Sequence, residues 1–332
     1  MEIYYWCPYL TNIATIKSVI RSAKSLGKFG SNKYKTTILN SCGEWNFLNN
    51  NNFKIRIKNL LPFNFFNFLP KVGLVQSRLS FIIIFILNFF PLLIEIKKKK
   101  PEYLLIHLLT LLPLILSPFI YKNTKIILRI SGLPKLNFFR RFIWRTFSRY
   151  LYAVTTPTTN TYNMLIESDL FEKGKIKVLR DPIIEKSEID RKKNIDIDDK
   201  FKTSNFYLSI GRLTKQKNFI FLVNFFCKYS KLLEKNKLII IGDGEERSNL
   251  QKIIKKNKME DKIFLLGFKE NVYNYINKCL TFISVAEYED PGFVLIESAF
   301  LKKKIISSLV ESGPLEMYEN GNNGYFFKFD NY

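Results

Sequence analysis

Two acids and two cations, each set beside glycines, carry the chemistry legible in this sequence. Glu289 and Glu297 are separated by seven intervening residues in EDPGFVLIE. The first falls in a loop after the strand-like CLTFISV, the second about one turn into the following helix. Backbone N–H groups around Gly292 and Phe293 then lie at a helix N-terminus, where they can bind anions and hydroxyl oxygens. The plainer alternative is an acidic loop followed by a solvated helix glutamate. Arg212 and Lys217 belong to GRLTKQKN, which begins at Gly211, follows the strand-like FYLSI and opens a helix. Cations placed there can hold an anionic leaving group through charge-assisted hydrogen bonds, most strongly as its charge develops. A solvated basic loop competes with that reading. Gly242 and Gly244 flank Asp243 between a strand and a helix, permitting a tight turn and close approach of a ligand. Gly267 and Phe268 end a further strand, with Val272 and Tyr273 close behind.

Taken in order across residues 206–320, these four elements resemble the family 4 glycosyltransferases, retaining enzymes of the GT-B fold. EDPGFVLIESA is similar to their Glu-x7-Glu signature, and GRLTKQKN to their GRLxxxKN element. The resemblance implies a UDP- or GDP-sugar donor, with Arg212 and Lys217 on its diphosphate in place of a metal. It implies that Glu289 and the N–H groups around Gly292 and Phe293 position the sugar hydroxyls, and that Glu297 takes the ribose diol. Gly267, Phe268 and Val272 are implied to hold the base. No enzymic nucleophile is implied: departure and attack share one sugar face, and the leaving phosphate oxygen takes the acceptor proton. His107, the chain's one histidine, follows an apolar strand stretch where the family often places a histidine near the donor sugar. A satisfied core histidine is the other reading. Where many relatives carry a glycine-rich loop after the first strand, this chain has PYLTNIAT, so phosphate contact there falls to Thr11, Asn12 or the helix N-terminus.

The elements that must position these residues alternate. Strand-like and helix-like segments follow one another through both halves, which implies parallel sheets covered on both faces. The expected fold class is α/β: a GT-B pair of Rossmann-like, doubly wound domains facing across a cleft, with ligands beyond the C-terminal strand ends. Residues 1–182 form the expected acceptor domain and 204–332 the donor domain. Residues 183–203, spelled EKSEIDRKKNIDIDDKFK over most of their length, read as an exposed linker. The literal Asp196-Ile-Asp198 lies in that charge-rich stretch with no strand before it and reads as solvated acid. With one histidine and no other ligand cluster, no metal is expected. The resemblance also implies a final helix beyond GYFFKFDN, near which the sequence ends.

Composition bounds the partners. The 332 residues hold 47% hydrophobic side chains and a formal charge of +23, favouring anionic partners, although a Lys-, Asn- and Ile-rich composition alone gives the same excess. Four scattered cysteines read as reduced thiols, and MEIYYWCPYL lacks the pattern of a signal peptide, so a cytoplasmic chain is expected. Residues 81–96 and 103–120 are apolar enough to raise membrane spanning, but Asn88, Pro91, Glu95 and His107 favour a buried helix followed by a buried strand. A helix over 137–152 would place Arg141, Arg145 and Arg149 on one stripe beside Phe138, Phe139 and Phe142. Such a face suits the cytoplasmic surface of an inner membrane or a lipid diphosphate, and equally a core-packed helix with a basic edge. The expected acceptor is a lipid-linked saccharide of a bacterial surface glycan such as lipopolysaccharide or capsule. A sugar synthase with a soluble acceptor, a membrane-embedded non-enzyme and a nucleic-acid-binding protein are the rivals. Scattered basic residues and the lack of any binding module disfavour nucleic acid.

Overall fold

Parallel strands cannot be joined by tight turns, so each pairing demands a crossover whose helix covers the sheet. Every strand ladder among the described residues is parallel. The computed structural model describes residues 1–11, 14–30, 33–48, 55–71, 74–132, 136–232, 236–310, 313–318 and 324–329. The chain divides into two units, Met1–Pro182 and Ile183–Tyr332.

In the first unit seven strands run β1 (Glu2–Trp6), β2 (Lys35–Asn40), β3 (Arg56–Asn59), β4 (Tyr103–Ile106), β5 (Lys125–Arg129), β6 (Ala153–Thr156) and β7 (Ile176–Val178). Their order in the sheet is β3-β2-β1-β4-β5-β6-β7, reversing between β1 and β4. Alternate residues of β1 point to opposite faces. Ile3, Tyr5 and Cys7 meet Ile16, Val19 and Ala23 of helix α1 (Ala14–Phe29). Tyr4 and Trp6 go to the other face, which is covered by α2 (Leu74–Lys99), α3 (Leu111–Ile120), α4 (Phe138–Phe147) and α5 (Thr159–Ser168). Asn137 caps α4 by accepting from the Arg140 amide, and Thr158 caps α5 in the same way for Thr161.

The second unit repeats the plan. Strands β8 (Phe206–Ile210), β9 (Lys237–Ile241), β10 (Ile263–Leu265), β11 (Thr281–Ser284), β12 (Lys304–Ser308) and β13 (Tyr325–Phe327) order as β10-β9-β8-β11-β12-β13. The order reverses between β8 and β11. Helices α7 (Phe219–Lys228) and α8 (Arg247–Lys256) cover one face of the sheet. Helices α6 (Lys186–Lys192), α9 (Tyr273–Lys278) and α10 (Phe293–Phe300) cover the other, and α11 spans Gly313–Met317.

Three expectations need correction. Residues 183–203 are not an exposed connector: α6 and a turn at Asp199–Phe201 bury Ile189, Ile197 and Phe201 in the core of the second unit. Their charged neighbours stay outside and mask three apolar anchors. The helix expected over 137–152 ends at Phe147, and Ser148–Tyr150 is a 3-10 turn, so Arg149 leaves the stripe begun by Arg141 and Arg145. The apolar stretch 81–96 is helical, but only one side of α2 is buried; large aliphatic and aromatic side chains cover the other.

Candidate functional site

Four loops at the C-terminal ends of β8, β9, β10 and β11 are tied to one another within the second unit. The Gly211 amide donates to Ile241 O at 3.0 Å and the Leu213 amide to Asp243 O at 2.9 Å, so the loop after β8 lies against the loop after β9. Gly242 is required there. A Cβ on it would stand 1.9 Å from the Gly211 carbonyl oxygen, and its φ of +140° disfavours other residues. Its amide in turn donates to Gly267 O at 2.9 Å, bringing in the loop after β10. Gly244 packs on the Leu213 backbone in the same manner.

The loop after β11 joins through the basic segment. Lys217 Nζ donates to Glu289 Oε2, Gln216 Nε2 donates to Tyr288 O at 2.9 Å, and the Glu287 amide returns a bond to Gln216 O at 2.9 Å. Sequence spacing thus brings the cation of GRLTKQKN and the first acid of the Glu-x7-Glu element into direct contact. Arg212 is exposed, and its guanidinium has no hydrogen bond or ion pair among the described residues. Gly292, at φ +87°, caps α10 and aims the amides of its first turn, beginning with Phe293, out of the helix end. Glu297 is 1% exposed and accepts from the Tyr273 hydroxyl at 2.9 Å. Val272 is buried in the core, whereas Phe268 stands exposed at the strand end.

The first unit holds a separate cavity of about 410 Å³ where β4 and β5 end, lined by His107, Arg129, Gly132, Asn137, Arg140 and Trp144 among others. His107 is buried and its ring lies 6.1 Å from that of Tyr5. Nε2 finds no hydrogen-bond partner among the described residues. Burial first, and then the Arg129 charge, lower its pKa from 6.5 to about 3, so the imidazole is neutral at physiological pH. Within the described residues its Nε2 is thus a buried, unsatisfied polar atom beside the cavity. Arg129 is held in turn by Asp181 at 2.9 Å and by Leu179 O, and Ser18 Oγ donates to the same carboxylate.

Other expected positions are scattered. Thr11 is exposed, and Asn12 lies outside the described residues. Arg141 and Arg145 are exposed on α4, the latter 3.6 Å from Asp169, while Arg149 stacks 4.8 Å from the Tyr150 ring. Asp196 and Asp198 pair with Lys202, Lys278 and Lys269, as solvated acids do. Sequence reasoning missed Gln216, the bond from Tyr273 to Glu297 and the Arg129–Asp181–Ser18 cluster. Only fold geometry joins residues 18, 129 and 181, so no local signal marks that cluster; Gln216 and Tyr273 do sit inside segments already singled out.

A family model described as "Glycosyl transferases group 1" matches residues 190–332. "Uncharacterized glycosyltransferase MJ1059" of Methanocaldococcus jannaschii is 27% identical over 240 residues, 67% of this chain and 59% of that protein. The "N-acetylgalactosamine-N,N'-diacetylbacillosaminyl-diphospho-undecaprenol 4-alpha-N-acetylgalactosaminyltransferase" of Campylobacter jejuni is 35% identical over 126 residues, 38% of this chain and 34% of that protein. The chain thus spans less than two thirds of the length of either relative. In fold it is similar to a glycosyltransferase from Rickettsia africae, with a TM-score of 0.71 and 16% identity over 99% of this chain and 84% of that one.

Proposed function

We propose that this chain, whose residues 190–332 match the group 1 glycosyltransferases and whose fold resembles that of a solved glycosyltransferase, moves a sugar from a UDP- or GDP-sugar to a lipid-linked saccharide. On this reading transfer proceeds with retention and without a metal ion. The observation that supports it best is the joining of four strand-end loops around Lys217, Glu289 and the exposed Arg212.

The chemistry follows from where charge develops. As the glycosidic bond breaks, the departing nucleoside diphosphate gains negative charge. Arg212 offers a planar fork to it. Lys217 spends one of its three N–H donors on Glu289 and keeps two. These cations and the outward amides of α10 stabilise the leaving group without a metal's help. On this reading Glu289, which accepts from Lys217, also accepts from sugar hydroxyls, and Glu297, which accepts from Tyr273, takes the ribose diol. The leaving phosphate oxygen collects the acceptor proton on the face from which it departs, which yields retention. His107, being neutral, can act toward a ligand of the first-unit cavity only as a hydrogen-bond partner and not as a cation.

The lipid-linked acceptor is supported by the diphospho-undecaprenol substrate in the Campylobacter relative's name. It fits peripheral association with the cytoplasmic face of an inner membrane, where surface glycans such as lipopolysaccharide or capsule are built. A thermal-shift screen across UDP, GDP and their sugars tests the donor site. One nucleotide at 100 times its Kd should stabilise the protein by about 2.7 kcal/mol. Arg212→Ala should abolish that shift and lower turnover by on the order of 10²–10³. If no nucleotide moves the midpoint, the donor reading fails.

A further inference from the structure

We propose that the outward side of α2 is a docking surface that lies flat in the interface of an anionic lipid bilayer. This deepens the peripheral association proposed above and does not depend on the donor site. The helix spans 26 residues, Leu74–Lys99, and has two opposed faces. Inward, Ser80, Ile84, Asn88, Leu92 and Ile96 recur every four residues and are at most 1% exposed. Outward, Val75, Leu79, Ile82, Ile86, Phe90 and Ile94 recur every three or four residues and are 52–79% exposed. A water-facing helix carries polar residues at such positions. An unbroken apolar stripe of this length marks a surface that meets another apolar phase.

The occupant follows from charge and anchoring. Lys97, Lys98, Lys99 and Lys100 are all exposed at the C-terminal end of the stripe, and Lys97 lies 5.7 Å from the ring of Phe119, itself exposed on α3. A basic cluster and an aromatic at the edge of an apolar face match lipid headgroups above acyl chains. Composition and length alone would let this helix cross a membrane. Its inner side forbids it. The Tyr4 hydroxyl donates to Glu95 at 3.0 Å, Lys58 stands 3.8 Å from the same carboxylate, and Ser80 Oγ donates to Pro70 O at 2.6 Å. Crossing would tear these groups from their partners and leave them unpaired in hydrocarbon. The helix lies on the bilayer. Helix α3 packs against both α2 and α4. On α4, Phe138, Phe139 and Phe142 are exposed, and Phe139 and Arg140 also line the His107 cavity, so a docked lipid surface extends toward that cavity.

Flotation of the full chain with vesicles tests the proposal. Phosphatidylcholine vesicles with and without phosphatidylglycerol serve as probes, and the variants are Ile82→Ser/Ile86→Ser/Phe90→Ser and Lys97→Gln/Lys98→Gln/Lys99→Gln. The wild type should float with the anionic vesicles. The serine variant should lose roughly tenfold or more of that partitioning, and the glutamine variant should lose its preference for phosphatidylglycerol. Alkaline carbonate should strip the wild type from membranes. Phe90→Ser alone, with an unchanged circular dichroism spectrum, guards against misfolding and should show an intermediate loss. Unaltered flotation of the serine variant overturns the proposal, and so does retention through carbonate. A wild-type dimer that ignores vesicles and becomes monomeric in the serine variant assigns the face to a second copy and overturns it too. Nucleotide-induced shifts should persist in every variant, so failure here leaves the donor reading standing.

Discussion

A single neutral imidazole makes the acid limb of stability readable. His107 has a folded pKa of about 3, set by burial and then by Arg129, against 6.5 for the ordinary side chain. Between those values the unfolded chain binds a proton at this site and the folded chain does not. The contribution of the neutral ring is therefore complete above pH 6.5 and is lost as pH falls toward 3. Replacing it by glutamine, which does not titrate, removes that proton uptake. Urea unfolding of wild type and His107→Gln at a series of pH values should show a constant difference above pH 6.5. Below it, the wild type should lose stability relative to the variant by roughly 1.4 kcal/mol per pH unit, on the order of a few kcal/mol in all. A difference that stays constant down to pH 4 shows that the ring is hydrated or protonated in the native fold.

Among the elements, the segment before β8 is the sharpest test of packing. If residues 183–203 were a solvated connector, truncating Phe201 would cost almost nothing. Phe201 is fully buried with Ile189 and Ile197, and its ring lies 5.0 Å from Phe264 and 6.4 Å from Phe206. Phe201→Ala should cost about 3–5 kcal/mol in chemical unfolding of the second unit, and a fragment begun at residue 204 should fold worse than one begun at 183. A loss below about 1 kcal/mol returns the segment to a linker. The same segment shows what pattern reading can and cannot reach. Parallel strands and the loops after them were legible, because apolar runs such as KLIII end at glycines and charges in GDGEER. Three apolar anchors among EKSEIDRKKNIDIDDKF were not, since their spacing fits neither a strand nor a full helix. The exposed side of α2 was hidden for the opposite reason: when both faces are apolar, composition cannot say which meets the sheet. The Lys217–Glu289 contact was implied by two motifs; the Tyr273–Glu297 bond needed the helices to be placed.

At the scale of the molecule, the two units carry distinct hydrophobic cores, each built around its own sheet. Cooperative unfolding follows the core, so two transitions are expected in calorimetry rather than one. A ligand stabilises only the unit whose native state binds it, by an amount that grows with the logarithm of its concentration. Lys217, Glu289, Arg212 and the glycine-lined loops all belong to residues 183–332. A nucleoside diphosphate should therefore raise one midpoint and leave the other in place. Phe201→Ala should lower the transition that the nucleotide raises, which identifies it as the second unit without a fragment. Assignment in the reverse sense, with the nucleotide-sensitive transition untouched by Phe201→Ala, would move the anion site to the cavity of His107 and Arg140. The net charge of +23 supplies a control. Generic attraction of a diphosphate to a basic surface is screened within about 8 Å at physiological ionic strength, so it fades with added salt and shifts both transitions together. A shift that survives salt and stays confined to one transition reports the joined loops themselves.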